Sequence, residues 1–313
     1  MIKIYNVKSF CAKTLRFGLF IPFSNLILVY GRTFVPTSIL VRISIARNRK
    51  IENKIKSIIG NIEDIEIQND NIIKKNIWFC WLQGEDNMPL IPSMCLQSIK
   101  KNANGHDVVV VSLKNIDNYL KLSDRIKSLY QKGNITSAHL SDIIRIGLLS
   151  KYGGFWIDAT MYLTSPISKD IFEQKLYSLK SQPQGFYVSK CQWSGFCFFM
   201  NQHSRLPHIV KNMLDNYWEN EKWLIDYFMI DYLIDMAYNM DTDVKNDIDA
   251  IPFSNQELHS LSPLLCAEFD MDTFRYLTKS TSFFKLSWKM YSDEQLLANK
   301  NNYYHFLTNI VKN

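Results

Sequence analysis

The stretch that most constrains the fold is residues 137–160, Ser-Ala-His-Leu-Ser-Asp-Ile-Ile-Arg-Ile-Gly-Leu-Leu-Ser-Lys-Tyr-Gly-Gly-Phe-Trp-Ile-Asp-Ala-Thr. Leu140, Ile143, Ile144, Gly147 and Leu148 recur at the i, i+3, i+4, i+7, i+8 spacing of an amphipathic helix. Asp142 and Arg145 stand one turn apart, off that stripe. Gly153-Gly154 stops the helix, because glycine enters the left-handed C-cap geometry without a Cβ penalty. Phe155-Trp156-Ile157 reads as a short strand buried on both faces, and Asp158 sits where it ends. Ligands of open α/β sheets bind beyond the carboxyl ends of strands. A carboxylate there, behind a helix carrying an Asp/Arg pair, suits a phosphorylated, hydroxyl-rich ligand.

The neighbouring sequence supplies the rest of an α/β body. Ile77–Leu82 reads as a buried strand, followed by a turn at Gln83-Gly84-Glu85-Asp86 and a helix from Pro92, with Ser93 as its N-cap. Asn104-Gly105 is a turn, and Asp107–Val111 a second buried strand. Strand, helix, strand in this order predicts a mainly parallel central sheet flanked by helices and joined by right-handed crossovers. Further strands are expected at Phe186–Val188 and Gly195–Met200, helices at 203–219 and 222–239, and an acidic loop at 241–250. On the second helix Asp231 and Asp235 share a face, Asp226 points elsewhere, and Tyr227, Phe228 and Tyr232 read as core.

Charge divides the chain. Residues 1–56 hold eleven Lys/Arg and one acid, Glu52, against a net charge of +6 for the whole chain, so the remainder is mildly acidic. Within this basic arm, residues 17–30 are apolar but too short, and too interrupted by Pro22, Ser24 and Asn25, for a transmembrane helix. Two placements fit: an interfacial anchor with basic flanks, or a helical cap on the body. Residues 41–75 read as one or two surface helices and a linker. The expected division is a helical N-terminal extension, 1–75, and a body, 76–313. No zinc-finger spacing or aromatic RNA-binding motif occurs, so nucleic acid is not the expected partner. An anionic membrane surface suits the arm better. Six cysteines without C-x-x-C, and no clear cleavable signal, imply reduced thiols in a cytoplasmic protein, peripheral on the inner face of the plasma membrane. Phosphate-loop, dinucleotide and nucleophile-elbow motifs are absent.

The pattern S-D-x-x-R-x-x-x-L-x-x-x-G-G-x-W-x-D-A-T, from Ser141 to Thr160, resembles the capsular polysaccharide synthesis protein family. Members look like relatives of glycosyltransferases whose sugar-binding region carries a D-x-D motif. The resemblance runs from about Asn76 to Met290. It implies a GT-A-like nucleotide-diphospho-sugar transferase fold and transfer of a hexose from a UDP-sugar to a lipid-linked oligosaccharide, with retention of configuration. By this resemblance Asp142 binds donor sugar hydroxyls and Arg145 helps hold the donor. Trp81 and Gln83 line the base pocket, and Lys285 and Lys289, flanking Trp288, close over the diphosphate. Asp231 lies beside the acceptor. Asp158 and Thr160 stand at the D-x-D positions, where a divalent ion, Mn²⁺ or Mg²⁺, is expected.

One departure matters: the second acid of that motif is Thr160 here. The leaving diphosphate needs positive charge, from a metal ion or from Lys/Arg. Thr160 lowers the charge of a metal site by one, which implies weaker affinity or an acid supplied from elsewhere. Asp158 could hold a metal directly, hold it through water, or touch the donor ribose. The alternative reading is a catalytically inactive sugar-nucleotide-binding or scaffold subunit. A sugar-phosphate transferase, releasing UMP, is a third.

Overall fold

A computed structural model describes residues 7–62, 75–181 and 187–312. Three helices come first: α1 (Val7–Phe17), α2 (Phe20–Tyr30) and α3 (Thr37–Ile59). Helix α3 is one continuous 23-residue helix, as the expectation of one or two helices allows, but it is not confined to the surface. Its Ile51, Ile55 and Ile59, at i, i+4, i+8, are buried in the main core. Three charged residues between them, Glu52, Lys54 and Lys56, give the segment a solvated look. Residues 63–74, where the linker was placed, lie outside the described residues.

The sheet is then laid down. Strand β1 (Ile77–Cys80) leads through α4 (Leu90–Lys101) to β2 (Val108–Val111). The N-cap of α4 is Pro89, and Ser93 lies inside the helix rather than capping it. Helices α5 (Asp124–Gln131) and α6 (Ser137–Tyr152) precede β3 (Gly154–Ile157) and β4 (Met161–Leu163). Strands β5 (Leu176–Ser178) and β6 (Cys197–Met200) follow. Tyr187-Val188, expected as strand, sit in a turn, and Phe186 lies outside the described residues.

The order is β2-β1-β3-β6-β5. β2, β1 and β3 run parallel; β6 is antiparallel to β3 and β5 antiparallel to β6, so four of five strands point the same way. The expectation of a mainly parallel α/β sheet flanked by helices holds in that sense. The period of two sorts side chains between two cores. Trp78, Cys80, Trp156, Phe198 and Met200 face one, with α3, α6, α7 (Arg205–Asn220) and α8 (Met229–Met240). Ile77, Phe79, Phe155, Ile157, Cys197 and Phe199 face the other, with Leu96 and Ile99 of α4. The buried thiols of Cys80, Cys95 and Cys197 are pushed well up by burial and stay protonated, as small apolar fillers do.

Two corrections concern the second half. The helix expected over 222–239 begins only at Met229, and the acidic loop at 241–250 is largely helix, α9 (Thr242–Asp249). Asp241 caps α9 by accepting from Val244 N–H, and Lys245 pairs with Asp249 one turn on. Helix α10 (Met271–Thr278), strand β7 (Phe283–Lys285), and helices α11 (Asp293–Leu297) and α12 (Tyr303–Lys312) complete the chain. β7 pairs antiparallel with β4 in a separate two-stranded sheet, setting Lys285 opposite Met161.

Candidate active site

Helix α6 begins at the cap Thr136, whose hydroxyl accepts from His139 N–H, and ends at Gly153. Gly153 and Gly154 both have positive φ, 63° and 102°. A Cβ on Gly154 would stand 2.5 Å from Asn76 O and 2.9 Å from Trp78 Nε1, so only glycine brings β3 this close to β1. The double glycine therefore does more than stop the helix. It tucks the helix end against the sheet, so that α6 and the end of β3 present their polar groups to one another.

Alternation along β3 puts Trp156 and Asp158 on the α6 side. Trp156 Nε1 donates to Asp158 Oδ1 at 2.8 Å, and Lys285 Nζ donates to Oδ2 at 3.0 Å. Arg145 Nη2 lies 3.9 Å from Oδ1. The same guanidinium donates to Asp142 Oδ1 at 2.5 Å and to the carbonyl of Gly195, and stacks 5.2 Å from the Trp156 ring centroid. Its Nε is buried without a hydrogen-bond partner. Side-chain exposures are 8% for Arg145, 16% for Asp142, 21% for Lys285 and 27% for Asp158. The Asp142–Arg145 pair is thus an interior pair within an open-ended cluster, not a solvated one. Burial pulls the Asp158 carboxyl up, but the Lys285 and Arg145 charges and the Trp156 and Lys285 hydrogen bonds pull it down further, leaving it below the usual range. Asp158 is ionised at neutral pH.

Asp231, near the N-terminus of α8, joins from the far side. Its Oδ1 accepts from Trp193 Nε1 at 2.9 Å. A Cβ on Gly195 would lie 3.1 Å from Arg145 Nη1 and 3.8 Å from Asp231 Oδ1, so this glycine leaves room for both groups beside it. Burial pushes the Asp231 carboxyl up to about 6; the Trp193 hydrogen bond restrains the rise and the nearby Asp142 charge adds to it. An unfolded aspartate titrates near about 3.9. The folded chain therefore holds an extra proton between about pH 4 and 6, and stability falls as pH rises through that window. Asp231→Asn, whose amide oxygen still accepts from Trp193, is expected to raise the unfolding midpoint at about pH 8 and leave it near wild type at about pH 4. Equal effects at both pH values contradict this.

The other expected residues divide. Trp81 follows the end of β1, and its ring meets that of Trp288, centroids 6.1 Å apart and edge to face. Lys289 Nζ sits 5.0 Å from the Trp288 ring centroid and its side chain is exposed. Gln83 is an exposed turn residue whose carbonyl accepts from Asn87. None of these four has a described contact with Asp158. Asp235 instead bonds Asn239 on its own helix, and Asp226 pairs with Arg47 of α3. Of the aromatic stripe read as core, only Tyr232 is buried; Tyr227 and Phe228 are exposed, and Tyr227 lies within electrostatic reach of Asp142 and Asp158. His139 is buried, accepts from Trp218 Nε1 at 3.2 Å, and holds Nδ1 3.3 Å from Asp142 Oδ2, outside hydrogen-bonding geometry.

Trp156, Trp193, Gly195 and Phe196 escaped the sequence reading. Trp156 alone carried a usable signal, because residues two apart on a strand share a face.

The residues at the D-x-D positions do not fit a divalent ion. Both oxygens of the single carboxylate are engaged, and the Thr160 carbonyl accepts from Leu286 N–H at 2.8 Å. Among the described residues no cluster of three His, Cys, Asp or Glu side chains could hold a metal ion.

A comparison with curated proteins finds no match. A model of the family described as capsular polysaccharide synthesis protein matches residues 41–307, which take in most of α3 and every site residue named above. The chain belongs to the capsular polysaccharide synthesis protein family.

Proposed function

We propose that the protein is a glycosyltransferase of capsular or related surface-polysaccharide synthesis, built on a GT-A-like fold. It moves a hexose from a UDP-sugar to a lipid-linked oligosaccharide, with retention. Family membership supports the role in capsule synthesis. The observation that carries the chemistry is the meeting of Asp142, Arg145, Asp158 and Lys285 beyond the carboxyl end of β3. Arg145 and Lys285 are fixed cations in a partly dry site, where they stabilise charge building on the departing diphosphate. Asp142 offers a carboxylate to sugar hydroxyls. Asp231, poised to gain or lose a proton near about pH 6, takes up the proton of the acceptor hydroxyl in this reading.

The test is incubation of the full chain with a panel of UDP- and GDP-hexoses. Slow donor hydrolysis releasing UDP, abolished by Asp158→Asn, supports the transferase. Tight binding with no turnover on any donor supports a scaffold subunit instead, and release of UMP supports a sugar-phosphate transferase.

We propose also that the arm rests on an anionic membrane, at the inner face of the plasma membrane. Helix α2 buries Ile21, Pro22 and Ser24 and exposes Phe20, Phe23, Ile27 and Tyr30, a stripe at i, i+3, i+7, i+10. Residues 1–51 contain no acid. A shallow groove on the outer face of α3 is lined by Arg42, Ile45, Ala46, Arg49, Lys50 and Asn53, and Lys50 Nζ lies 5.1 Å from the Phe20 ring centroid. No described helix is long and apolar enough to cross a membrane. Apolar groups flanked by cations suit a lipid surface, each cation contributing about 1 kcal/mol. Sedimentation with phosphatidylglycerol-containing vesicles is expected to weaken at least about tenfold for Arg42→Glu/Arg49→Glu. Equal binding to purely neutral vesicles, or undiminished binding by the double variant, contradicts the proposal.

A further inference from the structure

We infer that Lys285 takes the place that a divalent cation holds in a two-carboxylate sugar-nucleotide site, so that donor binding here needs no metal. The inference rests on the sugar-nucleotide reading of the site.

The ammonium is held in position by its backbone. Lys285 stands opposite Met161 in the β4–β7 pair, its N–H donates to Leu258 O at 2.7 Å, and the next N–H, of Leu286, donates to Thr160 O at 2.8 Å. The same short ladder therefore ties Lys285 to the Asp158-Ala159-Thr160 turn on the other strand. Lys285 Nζ then reaches Asp158 Oδ2 at 3.0 Å and lies 4.4 Å from the Phe196 ring centroid. A lysine on a strand clamped from both sides is not a loose arm swept in by the donor. It is present before the donor arrives.

Charge supports the exchange. Two carboxylates and a divalent ion sum to zero; one carboxylate and one ammonium also sum to zero. Thr160 removes one negative charge and Lys285, in place of a metal, removes one positive charge. A diphosphate meets the same net charge in both designs. A metal ion entering here would have to displace Lys285 from Oδ2 while Arg145, 3.9 Å from Oδ1, repels it. An ammonium carries three N–H donors and no geometric preference for one phosphate oxygen. One donor points at Asp158, and a fifth of the side chain remains open to solvent, 21%. Asp158 is thereby a positioning residue for two cations, rather than a metal ligand.

The experiment is titration calorimetry of a UDP-hexose into the full chain, in excess EDTA and again with Mn²⁺, alongside electron paramagnetic resonance of free Mn²⁺ with no nucleotide present. Expected are dissociation constants within about twofold of each other in the two buffers, and no tight Mn²⁺ binding. Lys285→Ala is expected to weaken donor binding about ten- to a hundredfold, the worth of a charge-assisted hydrogen bond. Lys285→Arg, which keeps the charge, is expected to restore most of it. Thr160→Asp/Lys285→Ala is expected to bind Mn²⁺ and to recover donor affinity in Mn²⁺ but not in EDTA. Wild-type binding seen only with Mn²⁺, or tight Mn²⁺ binding by the wild type, overturns the role of Lys285 alone. A chain that binds no sugar nucleotide in either buffer overturns the site reading, and the role of Lys285 falls with it.

Discussion

Arg145→Ala is expected to lower donor turnover at least about a hundredfold and to destabilise the fold at the same time. Arg145 is almost wholly buried and holds three parts of the site together: the Asp142 carboxylate, the Gly195 carbonyl and the approach to Asp158. Truncation leaves Asp142 as an uncompensated interior charge and the Gly195 carbonyl without its donor. Breaking one partner of such a pair costs about 3–5 kcal/mol, which for a chain of this length lowers the unfolding midpoint by roughly 5–8 °C. The catalytic loss follows from removing one of two cations that face the developing diphosphate charge, worth about 3 kcal/mol. Arg145→Lys separates the two effects. It keeps the charge but not the planar fork that serves Asp142 and Gly195 together. Much of the turnover should return, and only part of the stability. Calorimetry beside kcat/KM checks both. Activity within a few-fold of wild type in Arg145→Ala would move the reaction elsewhere on the molecule.

The second large effect lies far from the chemistry. Arg47 of α3 pairs with Asp226, and their side chains are 9% and 7% exposed. Arg47 Nη1 also reaches the Tyr232 hydroxyl at 3.4 Å, and that hydroxyl donates to Asn48 Oδ1 at 2.7 Å. Asp226 Oδ1 accepts from Phe228 N–H at 2.9 Å, which shapes the entry to α8, the helix that carries Asp231. Arg47→Ala should therefore lose about 3–5 kcal/mol in denaturant unfolding, since an unpaired buried carboxylate remains. Arg47→Met/Asp226→Leu should recover most of that loss, because a buried pair exchanged for well-packed apolar groups is often neutral. No loss in Arg47→Ala would mean that α3 is not anchored through this pair. Arg16, bonded to Glu221 at 2.5 Å, adds a second tie between the first helices and the body.

Local order was legible in the residues, and distant pairing was not. The α6–Gly-Gly–β3 unit could be read because its signals lie within 24 consecutive residues: a helical stripe, two glycines and an aromatic strand. β1 and β2 were legible as short apolar runs. The start of α8 was misread because Tyr227, Phe228 and Asp226 continue an amphipathic pattern. Ahead of the helix, Asp226 is instead held by Arg47, 179 positions away, and accepts from Phe228 N–H. Helix α9 was missed because its acids dominate the composition, although the Asp241 cap and the Lys245–Asp249 pair are both helical signals. The site itself splits the same way. Asp142, Arg145 and Asp158 are close in sequence. Lys285 reaches Asp158 across 127 positions and Trp193 reaches Asp231 across 38, and no periodicity links such partners. Lys285 was singled out by resemblance to a closing C-terminal segment, whereas it stands on a strand already paired with β4.

The most direct measurement is a crystal structure of the full chain grown with UDP and EDTA. Expected is a diphosphate within hydrogen-bonding distance of both Lys285 Nζ and Arg145, with Asp158 still between the two cations. A diphosphate bound in the Arg42–Arg49 groove of α3 instead, or one that drives Lys285 away from Asp158, would contradict this assignment of the site.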